Sequence, residues 1–67
     1  MSHQTLRVLF EIRLRWTDKV RQQASTRVDG SLWVPDTPRA REKLSQQAAL
    51  GNRLYGPETH WIERRQA

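Results

Sequence analysis

The side chains of this 67-residue chain that could do acid–base or nucleophilic chemistry are few and scattered. His3 and His60 have no companion at the spacing of metal ligands, and a structural zinc site needs four nitrogen or sulfur ligands. Cysteine is absent. Glu58 and Glu63 could act as an acid–base pair only inside a cleft, and so short a domain has little room for one of about 300 Å³. We therefore expect a protein that is not an enzyme and that holds no metal and no cofactor.

Arginine is the chemically distinctive residue type, and near the N-terminus it follows a strict alternation. From Leu6 to Trp16 the even positions are all apolar, whereas Arg7, Arg13 and Arg15 stand at odd positions. A β-strand points successive side chains to opposite faces, so this order predicts a strand with an apolar row toward a core and a cationic row toward solvent. Helical spacing would scatter both sets.

The charge balance indicates an anionic partner, either nucleic acid or a protein with an acidic surface. Twelve Lys and Arg residues against seven Asp and Glu residues give a formal net charge of +5. Guanidinium groups bind phosphate through paired hydrogen bonds, and a sheet can present them to a nucleic acid. The predicted nucleic-acid site comprises Arg7, Arg13, Arg15, Arg21, Arg27 and Arg64, with Arg65 beside them. Two alternatives stay open: arginine usage that reflects a GC-rich genome, and a solvated face that Glu11 neutralises across strands.

Residues 17–28 admit two interpretations. The positions of Val20, Ala24 and Val28 favour an antiparallel return strand. Thr17 could instead cap a short helix, but Val20 and Ala24 alone would give that helix little apolar surface for docking. We favour the strand, and the Asp-Gly pair at 29–30 then predicts a two-residue hairpin turn into a further strand over 31–34.

Cap and stop signals define one amphipathic helix from about Pro38 to Tyr55. Proline is favoured in the first turn of a helix, and Gly56 suits the end of one. Gly51 lowers helix propensity by about 1 kcal/mol relative to alanine, which indicates a packing requirement at that position. A final strand follows over 60–64, with a frayed tail to residue 67. The small and apolar positions that recur on one arc of the helix are Ala40, Leu44, Ala48, Gly51, Leu54 and Tyr55.

These elements predict a single α+β domain over residues 1–67. Its order is β-β-β-α-β, with a small antiparallel sheet of three or four strands and the helix packed on one face. A core this small supplies only about 3 to 5 kcal/mol, so a homodimer is a natural supplement. No apolar run approaches the roughly 20 residues that span a bilayer, and we expect a cytoplasmic protein. The predicted centre of the core comprises Val8, Phe10, Ile12, Leu14, Leu44, Leu54 and Ile62.

The tryptophan residues indicate an alternative function. Trp33 alternates away from its strand neighbours, and Trp61 points opposite to Ile62, so either ring could belong to a core or to an interface. We assign Trp33 and Trp61 to a candidate protein interface. The alternative function is therefore a small adaptor or inhibitor that binds a protein through an exposed tryptophan and a strand edge. Small basic chains without catalytic residues are frequent among the accessory proteins of phages and mobile elements.

Overall fold

A computed structural model describes residues 9–67, which form three strands and two helices in the order β-α-β-α-β. The strands make one antiparallel sheet in the spatial order β2-β1-β3. The α+β class, the small antiparallel sheet and the single main helix are thus confirmed. The predicted roles of Arg7 and Val8 lie outside the described residues. The elements are β1 Phe10–Trp16, α1 Asp18–Gln23, β2 Val34–Pro35, α2 Pro38–Tyr55 and β3 His60–Gln66.

The alternation in β1, the central strand, gives the sheet two faces of different character. Ile12 and Leu14 are buried against Leu44 of α2, and they form the core with partly buried neighbours. Glu11 lies opposite Arg65 in the register between β1 and β3. The odd-numbered residues of both strands therefore share the face away from α2, which we call the outer face. The partly buried core neighbours are Trp16, Val34, Ala40, Ala48 and Ile62.

Helix α2 has the bounds that its cap signals predict. The hydroxyl of Thr37 accepts a hydrogen bond from the Ala40 N–H at 3.1 Å, and Gly56 with φ +115° ends the helix. Leu54 is 70% exposed, so its predicted place in the core is wrong. It lies roughly 80° around the helix from Leu44, and the narrow three-stranded sheet does not extend far enough to cover it.

Gly51 shows the packing requirement that its cost to helix propensity indicated. It is buried, and a Cβ at this position would lie 2.5 Å from Cγ and 2.6 Å from Nδ1 of His60. His60 is only 8% exposed, and its ring centroid lies 6.1 Å from that of Trp16 and 5.6 Å from that of Tyr55. The His60 ring therefore fills the space that a side chain at position 51 would occupy.

Residues 18–23 form helix α1, so the predicted return strand is wrong. The Thr17 hydroxyl accepts a hydrogen bond from the Val20 N–H at 3.3 Å, and Val20 is 3% exposed. The Thr17 cap and the burial of Val20 favour the helix, and this docking contact is one that the sequence pattern does not reveal.

The Asp29-Gly30 pair does not make the predicted hairpin turn. Instead the backbone here runs along β1: the Trp16 N–H donates to the Asp29 carbonyl at 2.9 Å and the Ser31 N–H to the Leu14 carbonyl at 2.8 Å. The Ser31 hydroxyl accepts a hydrogen bond from the Leu14 N–H at 3.0 Å. A Cβ on Gly30 would lie 2.7 Å from the Leu14 carbonyl oxygen. Glycine is needed here for close approach of two backbones, and β2 is left only two residues long.

Strand β3 is longer than its apolar residues indicated. It continues to Gln66, which lies opposite Phe10, and the Ala67 N–H donates to the Leu9 carbonyl at 2.9 Å. The prediction of a frayed tail over 64–67 is therefore wrong, because pairing with β1 orders this segment although it has no large apolar side chain.

Candidate nucleic-acid interface

The predicted binding arginines do not form one row. Arg13 and Arg15 of β1 lie on the outer face, Arg21 lies on α1 and Arg27 in the segment that follows it. Arg64 lies opposite Ile12 in the register, so it belongs to the face that α2 covers. Arg64 comes two residues after Ile62, a predicted core residue, and alternate residues of a strand share a face. The sequence therefore already indicated this placement.

Three of these arginines converge on one cavity beside the outer face. Arg13, Arg21 and Arg27 line a space of about 460 Å³, and Trp33 forms part of its wall. This volume lies within the range of small-molecule sites, about 300–1,000 Å³, and it is more room than the length of the chain led us to expect. We call it the arginine cleft. Its other lining residues are Val28, Asp29, Gly30, Ser31 and Leu32.

Glu63 of β3 holds both strand arginines in place. Arg13 Nε donates to Oε1 at 2.7 Å and Arg15 Nη1 donates to Oε2 at 2.6 Å. Asp29 adds contacts of 3.8 Å to Arg13 and 3.1 Å to Arg15. The hydrogen bond from Arg13 is the main cause that lowers the pKa of Glu63, and the bond to Glu63 raises the pKa of Arg15. The strand arginines are thus well positioned but partly neutralised.

Trp33 packs on this network of charged side chains. The guanidinium carbon of Arg13 lies 4.8 Å from the Trp33 ring centroid and that of Arg65 lies 4.1 Å from it, both within cation–π range. Arg65 also binds Glu11, with Nε and Nη2 at 3.0 and 2.9 Å from one carboxylate oxygen. The indole is therefore half-buried, whereas Trp61 is 41% exposed.

Arg21 and Arg27 are the available charges of the cleft. Arg27 is exposed and makes no ion pair within residues 9–67. Among the same residues Arg21 pairs only with Asp18, one helical turn away, at 3.2 Å. A surface pair of this kind contributes about 0.2–1 kcal/mol. An incoming phosphate can therefore engage these two guanidinium groups at little energetic cost.

Arg64 instead makes its contacts on the opposite face of the sheet, the face that α2 covers. Its guanidinium carbon lies 3.7 Å from the Phe10 ring centroid, and its Nε lies 3.2 Å from Asp36. Asp36 also accepts two hydrogen bonds from Arg41, at 2.6 and 2.8 Å, which lower the pKa of its carboxyl group. Arg64 thus joins β3 to the start of α2, away from the arginine cleft.

The sequence did not identify Asp29 or Glu63 as parts of this site. Asp29 was interpreted as part of a turn, and Glu63 only as a possible acid–base partner of Glu58. Only the pairing of β3 with β1 places Glu63 beside Arg13 and Arg15. The alternative interpretation, in which Glu11 neutralises arginines across strands, did predict cross-strand ion pairs on this face. It named Glu11 alone as the acidic partner.

Over the part of the chain that the structure describes, no three His, Asp or Glu side chains cluster as metal ligands would. No helix in that part combines the length and the hydrophobicity needed to cross a bilayer. Neither a protein-family model, nor a curated protein, nor a solved structure matches this chain. The geometry of the arginine cleft is therefore the basis for a functional proposal.

Proposed function

We propose that this protein is a non-catalytic module that binds nucleic acid through the arginine cleft. The supporting observation is the convergence of Arg13, Arg21 and Arg27 on one cavity from β1, α1 and the following segment. Guanidinium groups bind phosphate oxygens in pairs, and aromatic rings offer stacking surfaces to unpaired bases. Trp33 supplies such a ring in the wall of the cleft, on the part of its surface that the Arg13 and Arg65 guanidinium groups leave uncovered.

The shape of the site favours a single strand as the ligand. A cavity of about 460 Å³ suits the phosphate and base of an unpaired nucleotide. Reading a duplex normally requires a helix or a β-ribbon that enters a groove, and the cleft is instead a concave site beside a narrow sheet. Most of the affinity then comes from phosphate contacts, with little sequence preference. The proposal agrees with the cytoplasmic location that the sequence predicts.

The acidic partners of the cleft arginines determine which of these arginines contacts the ligand first. Arg21 and Arg27 meet the ligand first, because Arg13 is shared with Glu63 and Asp29. Neutralising phosphates releases counterions, so the affinity falls steeply as the salt concentration rises. We expect binding in the micromolar range at low salt and much weaker binding at physiological salt.

Fluorescence anisotropy of a short labelled oligothymidylate tests the proposal. The double variant Arg21→Gln/Arg27→Gln removes two phosphate contacts, so the slope of log affinity against log salt should become shallower by about 1.4, at about 0.7 per contact. The control Arg39→Gln/Arg53→Gln makes the same change in net charge on the exposed side of α2, and it should leave the slope nearly unchanged. Equal effects of both variants, or no binding by the wild type at low salt, would contradict the proposal.

A second candidate function is an adaptor or inhibitor that binds a protein, such as the accessory proteins of phages and mobile elements. Trp61 favours it, because the ring is 41% exposed beside a strand edge, whereas Trp33 packs against two guanidinium groups. A protein recovered from host extract by the wild type and by the Arg21/Arg27 variant, but lost with Trp61→Ala, would favour this function over nucleic-acid binding.

A further inference from the structure

Strand β3 is an open edge of the sheet. In an antiparallel ladder, alternate residues direct their N–H and C=O groups to each side of the strand. The Ala67 N–H bonds Leu9 and the Thr59 carbonyl accepts from Thr17, so the odd-numbered residues face β1. The even-numbered residues therefore face away from the sheet, where no strand pairs with β3 within residues 9–67. The outward-facing residues are His60, Ile62, Arg64 and Gln66.

Helix α2 closes one end of this edge. The His60 N–H donates to Oδ1 of Asn52 at 2.7 Å, and the Thr59 hydroxyl lies 3.2 Å from the same oxygen. A strand that adds to β3 is therefore limited to the segment from Ile62 onward. This leaves a defined edge of five residues, 62–66, with three outward-facing N–H groups.

The charged side chains of β3 do not protect this edge. Natural edge strands often avoid pairing by carrying charge at the edge. Here each charged side chain of β3 is bound to a side chain of β1 or, for Arg64, of the segment that follows β2, on the side away from the open edge. The partners are Arg13 and Arg15 for Glu63, Asp36 for Arg64, and Glu11 for Arg65.

We infer that a second copy of this chain pairs with this edge, β3 antiparallel to β3, about a two-fold axis at Arg64. An axis at Glu63 would place Gln66 opposite His60, at the end of the edge that α2 closes, so only two of the three outward-facing N–H groups would pair with the second copy. An axis at Arg64 places Glu63 opposite Arg65 and Ile62 opposite Gln66. The two Arg64 groups meet at the axis, but each is already held by its own Asp36 and its own Phe10 ring.

Pairing at this edge adds stability, which the small hydrophobic core of one chain supplies only in part. Only four hydrophobic side chains are buried within residues 9–67, namely Ile12, Leu14, Val20 and Leu44. Chains of this size commonly gain stability from a second subunit. Joining the two three-stranded sheets also covers part of Trp61, which lies beside the edge.

The pairing has a consequence for the arginine clefts, and this point alone rests on the proposed function. A two-fold axis normal to the sheet keeps both outer faces on the same side. The two copies of β2 then lie five strand spacings apart, about 24 Å at about 4.8 Å each. One single strand could therefore contact both clefts.

Light scattering during size-exclusion chromatography of the full chain gives the first test. We expect a mass twice the 7.9 kDa of one chain. A mass of one chain at micromolar concentration would overturn the inference.

Single cysteines test the register, because the chain has no cysteine of its own. Two copies of Arg64→Cys would meet as a hydrogen-bonded pair with Cα atoms about 5.5 Å apart, within disulfide range. Two copies of the control Gln66→Cys would lie about 13 Å apart along the strand. Rapid oxidation to a covalent dimer is expected for Arg64→Cys alone. Equal rates for both variants, or no disulfide in Arg64→Cys, would refute the register.

Removing an outward N–H separates this inference from the proposed function. Gln66→Pro deletes one donor at the open edge without touching the core, and it should shift the protein toward the mass of one chain with an unchanged circular dichroism spectrum. The control Gln66→Ala should remain a dimer. Oligonucleotide binding per chain persists in the Gln66→Pro variant if only the dimer is lost, whereas a wild-type dimer without binding would refute the proposed function alone.

Discussion

Replacing Gly51 by alanine should destabilise this protein, although the same change in a typical exposed helix stabilises it. Alanine improves helix propensity by about 1 kcal/mol over glycine. Here the added Cβ would lie 2.5 and 2.6 Å from Cγ and Nδ1 of His60, about 1 Å inside the usual carbon contact distance of roughly 3.5–4.0 Å. The sign of the change therefore depends on whether the His60 ring can move.

The surroundings of His60 leave its ring little freedom. Nδ1 lies 2.9 Å from the Thr59 hydroxyl, and the rings of Trp16 and Tyr55 lie close to the imidazole. The backbone N–H of His60 is held by Asn52. Overpacking of this kind costs about 1–3 kcal/mol. After the helical gain is subtracted, Gly51→Ala should lower the free energy of unfolding by up to about 2 kcal/mol.

Urea unfolding, followed by circular dichroism, measures this change. Ala49→Gly, on the exposed side of the same helix, is the control for propensity and should lose about 1 kcal/mol. In the double variant Gly51→Ala/His60→Ala the clash is removed, so the cost of Gly51→Ala should disappear in a double-mutant cycle. A Gly51→Ala protein that is more stable than the wild type by about 1 kcal/mol would refute this reasoning.

Two further predictions concern charge and pH. Glu63→Gln should raise the affinity for oligothymidylate severalfold, because it weakens the contact that holds Arg13, a residue of the cleft, away from the ligand. Glu42→Gln makes the same change in net charge on exposed α2 and should have a smaller effect; equal effects would show that only net charge matters. Burial lowers the pKa of His60 in the folded protein, so the unfolded chain binds more protons below its pKa of about 6.5. The free energy of unfolding should therefore fall as the pH falls from about 6.5 toward the folded-state pKa, and a flat profile, or the same profile in His60→Gln, would contradict this.

Local and periodic signals predicted most of the elements. The alternation in β1 identified the strand and its apolar face, and the residues around Thr37 and Gly56 marked both ends of α2. Gly51 was correctly linked to packing, since its cost to the helix needed a compensating contact. These signals work because each depends on residues that are neighbours along one element.

The signals that failed depend on tertiary contacts. Glycine at position 30 fits a turn as well as it fits close backbone approach, and only the position of β1 decides between them. The docking of Val20 likewise decided between strand and helix for the segment after β1. In the candidate site, the sequence named Arg13, Arg21 and Arg27 but arranged them as a stripe on a sheet. Their meeting in a cleft follows from the path of α1 and the segment after it, which periodicity does not encode.

The backbone hydrogen bonds of residues 29–31 along β1 limit how far self-association can proceed. They occupy the side of the central strand where a longer β2 would otherwise lie, and Pro35 has no N–H to donate on the outer edge of β2, since its neighbour Asp36 is the residue that donates to β1. Within residues 9–67, extension of the sheet is therefore favoured only at the β3 side. Once two copies share that side, a third has no equivalent place to add, so the protein should resist growth into filaments even when it is concentrated.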